Sequence, residues 1–294
     1  MRVLILGSSG MIGHRIFAEF AKSDDVASLV GVVGFSSLKI LEKFATDKCK
    51  VVSYGDLTKD LIFEKMIQIE NPDIVINACG VTIRKISNSL TDQAYNLNSI
   101  FSKRLHYFCE ANSIKLIHLS TDCVFNGENG PYTELSVPNA RDIYGRSKFL
   151  GEVFGSNTLT LRFSAIGREL QSHTELLDWF IRGGHKEIGG YSESFYSGIT
   201  TSVLSREILK IIKSYKDLNG LYQISGPSIS KYELLSLINE KFDMKVDIKK
   251  SNEIRSNKVL LSKKYSLETG YVAPSWLDMI TELRGLDKEY SFLE

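Results

Sequence analysis

Short apolar runs alternating with longer amphipathic stretches set most of what this chain can fold into. VLIL is followed by GHRIFAEFAK, SLVGVVGF by LKILEKFA and DIVINAC by AYNLNSIFSKRLHYFCEAN, and KLIHLST closes the series. Strands that are apolar on successive residues must be covered on both faces, and the stretches between them have the period of helices. The fold class is therefore α/β, a doubly wound parallel sheet with helices on either side. After about residue 160 the regularity loosens. LTLRFSAIG still reads as a strand and VLSREILKIIKSY as a helix, but the 31 residues from Gln171 to Thr201 are rich in Gly, Ser and aromatics. This divides the chain into a first domain, 1–161, to which 198–216 returns, and a smaller C-terminal lobe, mainly 162–294.

The chain has 294 residues and is 43% hydrophobic, enough for a sizeable core. Its 36 Lys and Arg balance 35 Asp and Glu, a formal charge of +1, so no broad field favours nucleic acid or an anionic membrane as a partner. The opening MRVLIL breaks at a glycine turn too early for a signal peptide or a membrane span, which places the expected location in the cytoplasm. Cys49, Cys79, Cys109 and Cys123 are scattered singly and match neither a disulfide framework nor a metal site. All four are read as reduced thiols.

The glycines of GSSGMIG, Gly7, Gly10 and Gly13, follow the first strand directly and open a helix near Met11. In that context glycines let the backbone turn tightly and approach a pyrophosphate, which rests on the helix N-terminus. Ser9, Met11 and Ile12 complete this cofactor-binding turn. The spacing is G-x-x-G-x-x-G rather than G-x-G-x-x-G. The second strand is expected to end near Phe35, where an NAD site carries a carboxylate for the adenosine ribose. Here GFSSLK offers Ser36, Ser37 and Lys39, which suit a 2′-phosphate and favour NADPH over NADH. Asp56 and Leu57, after the third strand, are placed at the adenine. Ala78, Cys79 and Gly80 give a small-residue backbone that can pass close to the cofactor, although tight packing would explain them as well.

DIYGRSKFLGEV places Tyr144 and Lys148 four residues apart at a helix start, so their side chains project together. Tyr-x-x-x-Lys by itself is common. Upstream, however, LSTDCVFNG ends the strand KLIHLS, and ligands of doubly wound sheets sit outside the carboxyl ends of strands. Ser120 and Thr121 would then meet Tyr144 and Lys148 there. Hydride addition to a ketone leaves charge on its oxygen, which a phenol can protonate. A neighbouring ammonium lowers the phenol's pKa and steadies its anion.

With these pieces in order, the chain resembles the extended short-chain dehydrogenase/reductases, and among them the dTDP-4-dehydrorhamnose reductase group. GSSGMIG, NACGVTIRK, STDCVFNGENGPYTE, DIYGRSKFLGE, LTLRFSAIG and FYSGITT carry the resemblance across most of the chain. It implies a Rossmann-like NADP-binding domain with a C-terminal substrate-binding lobe, and a catalytic set of Thr121, Tyr144 and Lys148. Lys148 would also bond the nicotinamide ribose, and Asn98 would support the cofactor site from a central helix. Cys123 stands where the group often has Tyr, and the region around Trp179 departs from the rhamnose enzymes.

The implied activity is NADPH-dependent reduction of a 4-keto-6-deoxy sugar nucleotide in surface polysaccharide or glycoconjugate synthesis. Arg162, Arg168, Tyr191 and Tyr196 are the candidates for its diphosphate and base. Two alternatives stay open: a non-catalytic NADP-binding regulatory subunit, and an epimerase of the same superfamily. A dehydratase would want a carboxylate pair, and Asp122 is followed by Cys123. A homodimer is an open expectation.

Overall fold

The computed structural model describes residues 1–59, 61–82 and 91–293. Ile83, Arg84 and Lys85 of the NACGVTIRK stretch lie outside the described residues. The strands are β1 (Arg2–Leu6), β2 (Ser28–Val32), β3 (Cys49–Val52), β4 (Ile74–Asn77), β5 (Lys115–Leu119), β6 (Thr158–Arg162), β7 (Ala165–Ile166), β8 (Glu187–Tyr191), β9 (Ser194–Tyr196), β10 (Ile199–Thr200), β11 (Gly220–Gln223), β12 (Ile229–Ser230), β13 (Asp247–Ser251) and β14 (Ser256–Lys258). The helices are α1 (Gly13–Ala21), α2 (Leu38–Leu41), α3 (Ile62–Glu70), α4 (Thr91–Tyr95), α5 (Ser102–Ala111), α6 (Ile143–Leu150), α7 (Leu176–Arg182), α8 (Thr201–Ser214), α9 (Lys231–Lys241), α10 (Lys263–Thr269) and α11 (Trp276–Gly285).

Seven strands form one sheet in the order β11-β6-β5-β4-β1-β2-β3, with every pairing parallel. The order reverses between β1 and β4, the switch point at which such sheets bind ligands. β1 shows why the strands are apolar throughout. Val3 and Ile5 join the cluster containing Phe17 of α1 and Ile208 of α8, while Leu4 and Leu6 join Phe63 of α3 and Leu105 of α5 on the other face. Smaller units follow: β7 pairs with β10, β8 with β13, and β9 lies between β12 and β14.

Three local readings are corrected. β2 ends at Val32, because Gly34 turns the chain into a 3-10 turn over Phe35–Ser37. LTLRFSAIG divides into β6 and the short β7. The long helix expected from Ala94 to Asn112 is interrupted by a π-helical turn at Asn96–Phe101. Among the described residues, no helix is long and apolar enough to cross a membrane.

Candidate active site

The glycine turn is held by its own backbone. The Gly7 and Ser8 N–H groups donate to the Val32 carbonyl at 3.1 and 3.0 Å, fastening the turn to β2. Gly7 has φ +77°, and a Cβ on Gly13 would lie 2.2 Å from the Gly7 oxygen, so neither position accepts a side chain without rearrangement. Behind the turn, His14 Nδ1 donates to the Gly10 carbonyl at 2.8 Å. That leaves Nε2 to accept from the Tyr290 hydroxyl at 2.9 Å. Burial lowers the His14 pKa to about 4, so this prop is neutral.

Ser9, Gly10, Met11 and Ile12 line a cavity of 190 Å³ whose floor is Ala78, Cys79 and Gly80 and whose far wall is Leu119, Ser120, Tyr144 and Lys148. The segment Glu169–Ser172 lines its remaining side. A glycine cradle opening onto a small-residue floor fits a dinucleotide. The Cys79 thiol is pushed up to about 12 by burial and is an unreactive part of that floor.

Tyr144 and Lys148 line the cavity's far wall, whereas Thr121, which follows the lining Ser120, does not itself line it. Thr121 Oγ1 accepts from the Cys123 N–H at 3.1 Å and donates to Asp122 Oδ1 at 3.2 Å, and the Thr121 side chain is a neighbour of the Tyr144 phenol. Asp142 caps α6 by accepting from the Gly145 N–H at 2.8 Å, which sets the first turn on which Tyr144 rides. Lys148 is buried, and its ammonium donates to the Leu119 carbonyl at 2.6 Å. Burial lowers its pKa to about 8, against the opposing pull of Glu152 and Cys79. The expectation that the ammonium lowers the phenol is corrected: burial of the Tyr144 ring raises its pKa, which leaves it a proton donor rather than a base.

Asn98 does not line the cavity. Fully buried in the π-helical turn, it accepts from the Val81 N–H at 2.9 Å and donates to the Val81 carbonyl at 3.1 Å and to Ser147 Oγ at 3.0 Å. It thereby ties the loop after β4 to α6. Ser37 is buried and donates to Gln171 Oε1 at 3.3 Å, whereas Ser36 and Lys39 are exposed at the carboxyl end of β2, outside the 190 Å³ cavity. Asp56 is exposed and accepts from the Thr58 N–H and hydroxyl, which hold its pKa below the usual carboxylate value. Leu57 is corrected to a core residue packed with Phe63, since its side chain points into the apolar cluster under β1.

A second cavity, of 740 Å³, adjoins the first and shares Met11 and Glu175 with it. Tyr191 and Tyr196 line it, together with Trp179, Ser164 and Lys231. The Lys231 ammonium sits 3.7 Å from the Tyr196 ring centroid, and the buried Tyr196 hydroxyl has no hydrogen-bond partner among the described residues.

Arg162 and Arg168 are the placements to correct. Arg162 is 2% exposed and bonded to Glu152 through Nε and Nη2, both at 2.7 Å. Arg168 is equally buried, paired with Asp178 at 2.7 Å and with Asp287. Each is the counter-charge of a buried carboxylate and lines neither cavity. Sequence reasoning also missed Glu152, Gln171, Glu175 and Lys231. Lys231 had a legible signal: SKYE is a capping box, with Ser230 and Glu233 bonded reciprocally, and it puts Lys231 in the first turn of α9.

Comparison with known proteins identifies a family and a shared fold. Residues 1–262 match the family model described as RmlD substrate binding domain. Methionine adenosyltransferase 2 subunit beta from Danio rerio is 31% identical over 151 residues, 51% of this chain and 42% of that protein, so the match spans less than half of the relative. Spore coat polysaccharide biosynthesis protein SpsK from Bacillus subtilis (strain 168) is 29% identical over 189 residues, 60% of this chain and 64% of its own. Among solved structures, a dTDP-4-dehydrorhamnose reductase from Clostridium acetobutylicum ATCC 824 superposes with a TM-score of 0.78 at 21% identity, covering 98% of this chain and all of that one. The dTDP-4-dehydrorhamnose reductase from Bacillus anthracis str. Ames, in complex with NADP, gives 0.77 at 22% identity, covering 96% and 98%. The chain belongs to the RmlD substrate binding domain family.

Proposed function

We propose that the protein is an NADPH-dependent reductase of a 4-keto-6-deoxy sugar nucleotide, with residues 1–161 holding the cofactor and the lobe beyond holding the substrate. The observation that carries this reading is that Tyr144 and Lys148, with Ser120 next to Thr121, line a cavity that begins at the glycine turn and adjoins a larger, aromatic one. A bound nicotinamide would supply the hydride. Tyr144, kept protonated by burial, gives its proton to the carbonyl oxygen as charge develops there. Thr121 is a second donor to that oxygen, its long 3.2 Å bond to Asp122 being weak enough to exchange. The Lys148 ammonium stabilises the tyrosinate left behind. The test is a panel of enzymatically made 4-keto sugar nucleotides, followed by loss of NADPH absorbance.

A regulatory, non-catalytic role is the second reading, favoured by the relatives titled as a subunit of methionine adenosyltransferase. The presence of Thr121, Tyr144 and Lys148 together supports chemistry, because a binding module needs no proton donor. Absence of turnover across the whole panel would favour the subunit.

The preference for NADPH rests on Ser36, Ser37 and Lys39 standing where a carboxylate would repel a 2′-phosphate. Ser36→Asp is expected to reverse the ratio of kcat/KM for NADPH and NADH. Equal use of both by the natural protein would defeat the argument.

For the substrate's diphosphate, Lys231 replaces the two arginines as the expected contact, with Tyr191 and Trp179 available to stack the base. UDP or dTDP without sugar should bind the NADPH-loaded protein by calorimetry, and Lys231→Ala should weaken that binding about tenfold, the size of one charge-assisted hydrogen bond. No heat from any nucleoside diphosphate at millimolar concentration would point to a free ketone or a binding-only role.

A further inference from the structure

Glu152 lies two residues beyond α6, and its carboxylate is nearly sealed from solvent. Oε1 accepts from Ser120 Oγ and from Arg162 Nε, each at 2.7 Å, and Oε2 accepts from Arg162 Nη2 at 2.7 Å. The side chains of the pair are 2% and 3% exposed, and the guanidinium also packs over the Phe125 ring at 5.2 Å. Stability alone is a poor reason for such a pair, because desolvating two charges commonly offsets their attraction and apolar residues can replace them. Its location is more informative. Ser120 precedes Thr121 at the end of β5, Arg162 ends β6, and Glu152 follows the helix that carries Tyr144 and Lys148.

We propose that Glu152, clamped between Ser120 and Arg162, is a positioning residue for the site: it locks the ends of β5, β6 and α6 in one register and keeps an anion facing the Lys148 ammonium. Lys148 holds the Leu119 carbonyl and Glu152 holds the next residue, Ser120, so the two groups meet at adjacent positions of the β5 end. The groups acting there are Glu152 with its partner Arg162, Cys79 after β4 and His118 on β5. Burial raises the Cys79 thiol to about 12 and holds His118 well below its usual value, so both are neutral near pH 7. Among these groups Glu152 is the one that carries negative charge there. Without it, burial would act on Lys148 with less opposition, and the fraction of the cation that steadies the Tyr144 anion would fall at physiological pH. The inference rests on the reductase reading for the role of Lys148, but not for its titration.

The experiment therefore reads Lys148 directly, by carbon-13 NMR of labelled lysine side chains in the cofactor-free protein, alongside the pH profile of kcat. Glu152→Gln keeps the shape and removes the charge. Lys148 should then titrate about one pH unit lower, a tenfold loss of ammonium on the alkaline side, with the alkaline limb of kcat moving equally. Glu152→Asp, which keeps the charge, should restore most of the shift. If the single variant does not fold, Glu152→Gln with Arg162→Met removes both charges and leaves no buried orphan; because the cation goes with the anion, the Lys148 titration should then fall by less than in the single variant, but still fall. An unchanged Lys148 titration in either variant, even with a lowered Tm, would make the pair a strut and overturn the proposal, as would failure of both to fold. Lack of sugar-nucleotide turnover in the natural protein would defeat the reductase reading and leave the Lys148 titration to be judged separately.

Discussion

Tyr144→Phe is expected to cut turnover by at least about a hundredfold, roughly 2.7 kcal/mol of transition-state stabilisation, while NADPH affinity changes little. The substitution removes one hydroxyl and keeps the ring, so the α6 cap at Asp142 and the cavity wall should persist. Because burial raises the Tyr144 pKa, the natural residue is in its donor form across the neutral range, and turnover should show no loss from its ionisation there. Steady-state turnover with a 4-keto sugar nucleotide, beside a direct NADPH titration, separates the two effects. Near-normal turnover in the Phe variant would remove Tyr144 from the role of acid.

Lys148→Met should behave differently, lowering both turnover and cofactor affinity, because the ammonium is assigned to the tyrosinate and to the nicotinamide ribose. Its hydrogen bond to the Leu119 carbonyl uses one of three donors, which leaves donor capacity for the cavity it lines. The pH dependence has a definite sign. With a pKa of about 8 the group is charged below that value and neutral above it, so turnover should fall as pH rises through 8, and the Met variant should lose this alkaline limb. A Met variant that lost turnover but bound NADPH normally would mean that Lys148 does not touch the ribose.

The parts of the molecule legible in the sequence are those governed by short-range period and by glycine. VLIL and DIVIN are apolar on successive residues because each lies between two helix layers, so β1 and β4 could be read without a tertiary contact. Gly7 and Gly13 stand where the backbone turns against itself, and their spacing announced the turn. Tyr144 and Lys148 were legible because one helical turn fixes their relation. Arg162 and Arg168 were misplaced for the opposite reason. An arginine in isolation looks like a phosphate ligand, and only the fold brings Glu152 and Asp178 against these two. Lys231 and Glu175 border the second cavity from segments distant in sequence; the SKYE capping box marks where α9 starts, but only the fold brings that start to the cavity. β11 was invisible as a strand because its four residues open on a glycine and pair only with β6.

The π-helical turn at Asn96–Phe101 makes chain length, more than residue identity, the quantity this helix cannot change. A Cβ on Gly151 would fall 1.8 Å from the Asn98 oxygen, so the widened turn and α6 meet backbone to backbone. Deleting one residue from the turn would restore ordinary helical geometry. It would also rotate everything on one side by about 100°, carrying Asn98 away from Val81 and Ser147. Substitutions on the outer face of this helix can therefore accumulate over evolutionary time without reaching the site, whereas a single-codon deletion would dismantle it from 50 residues away.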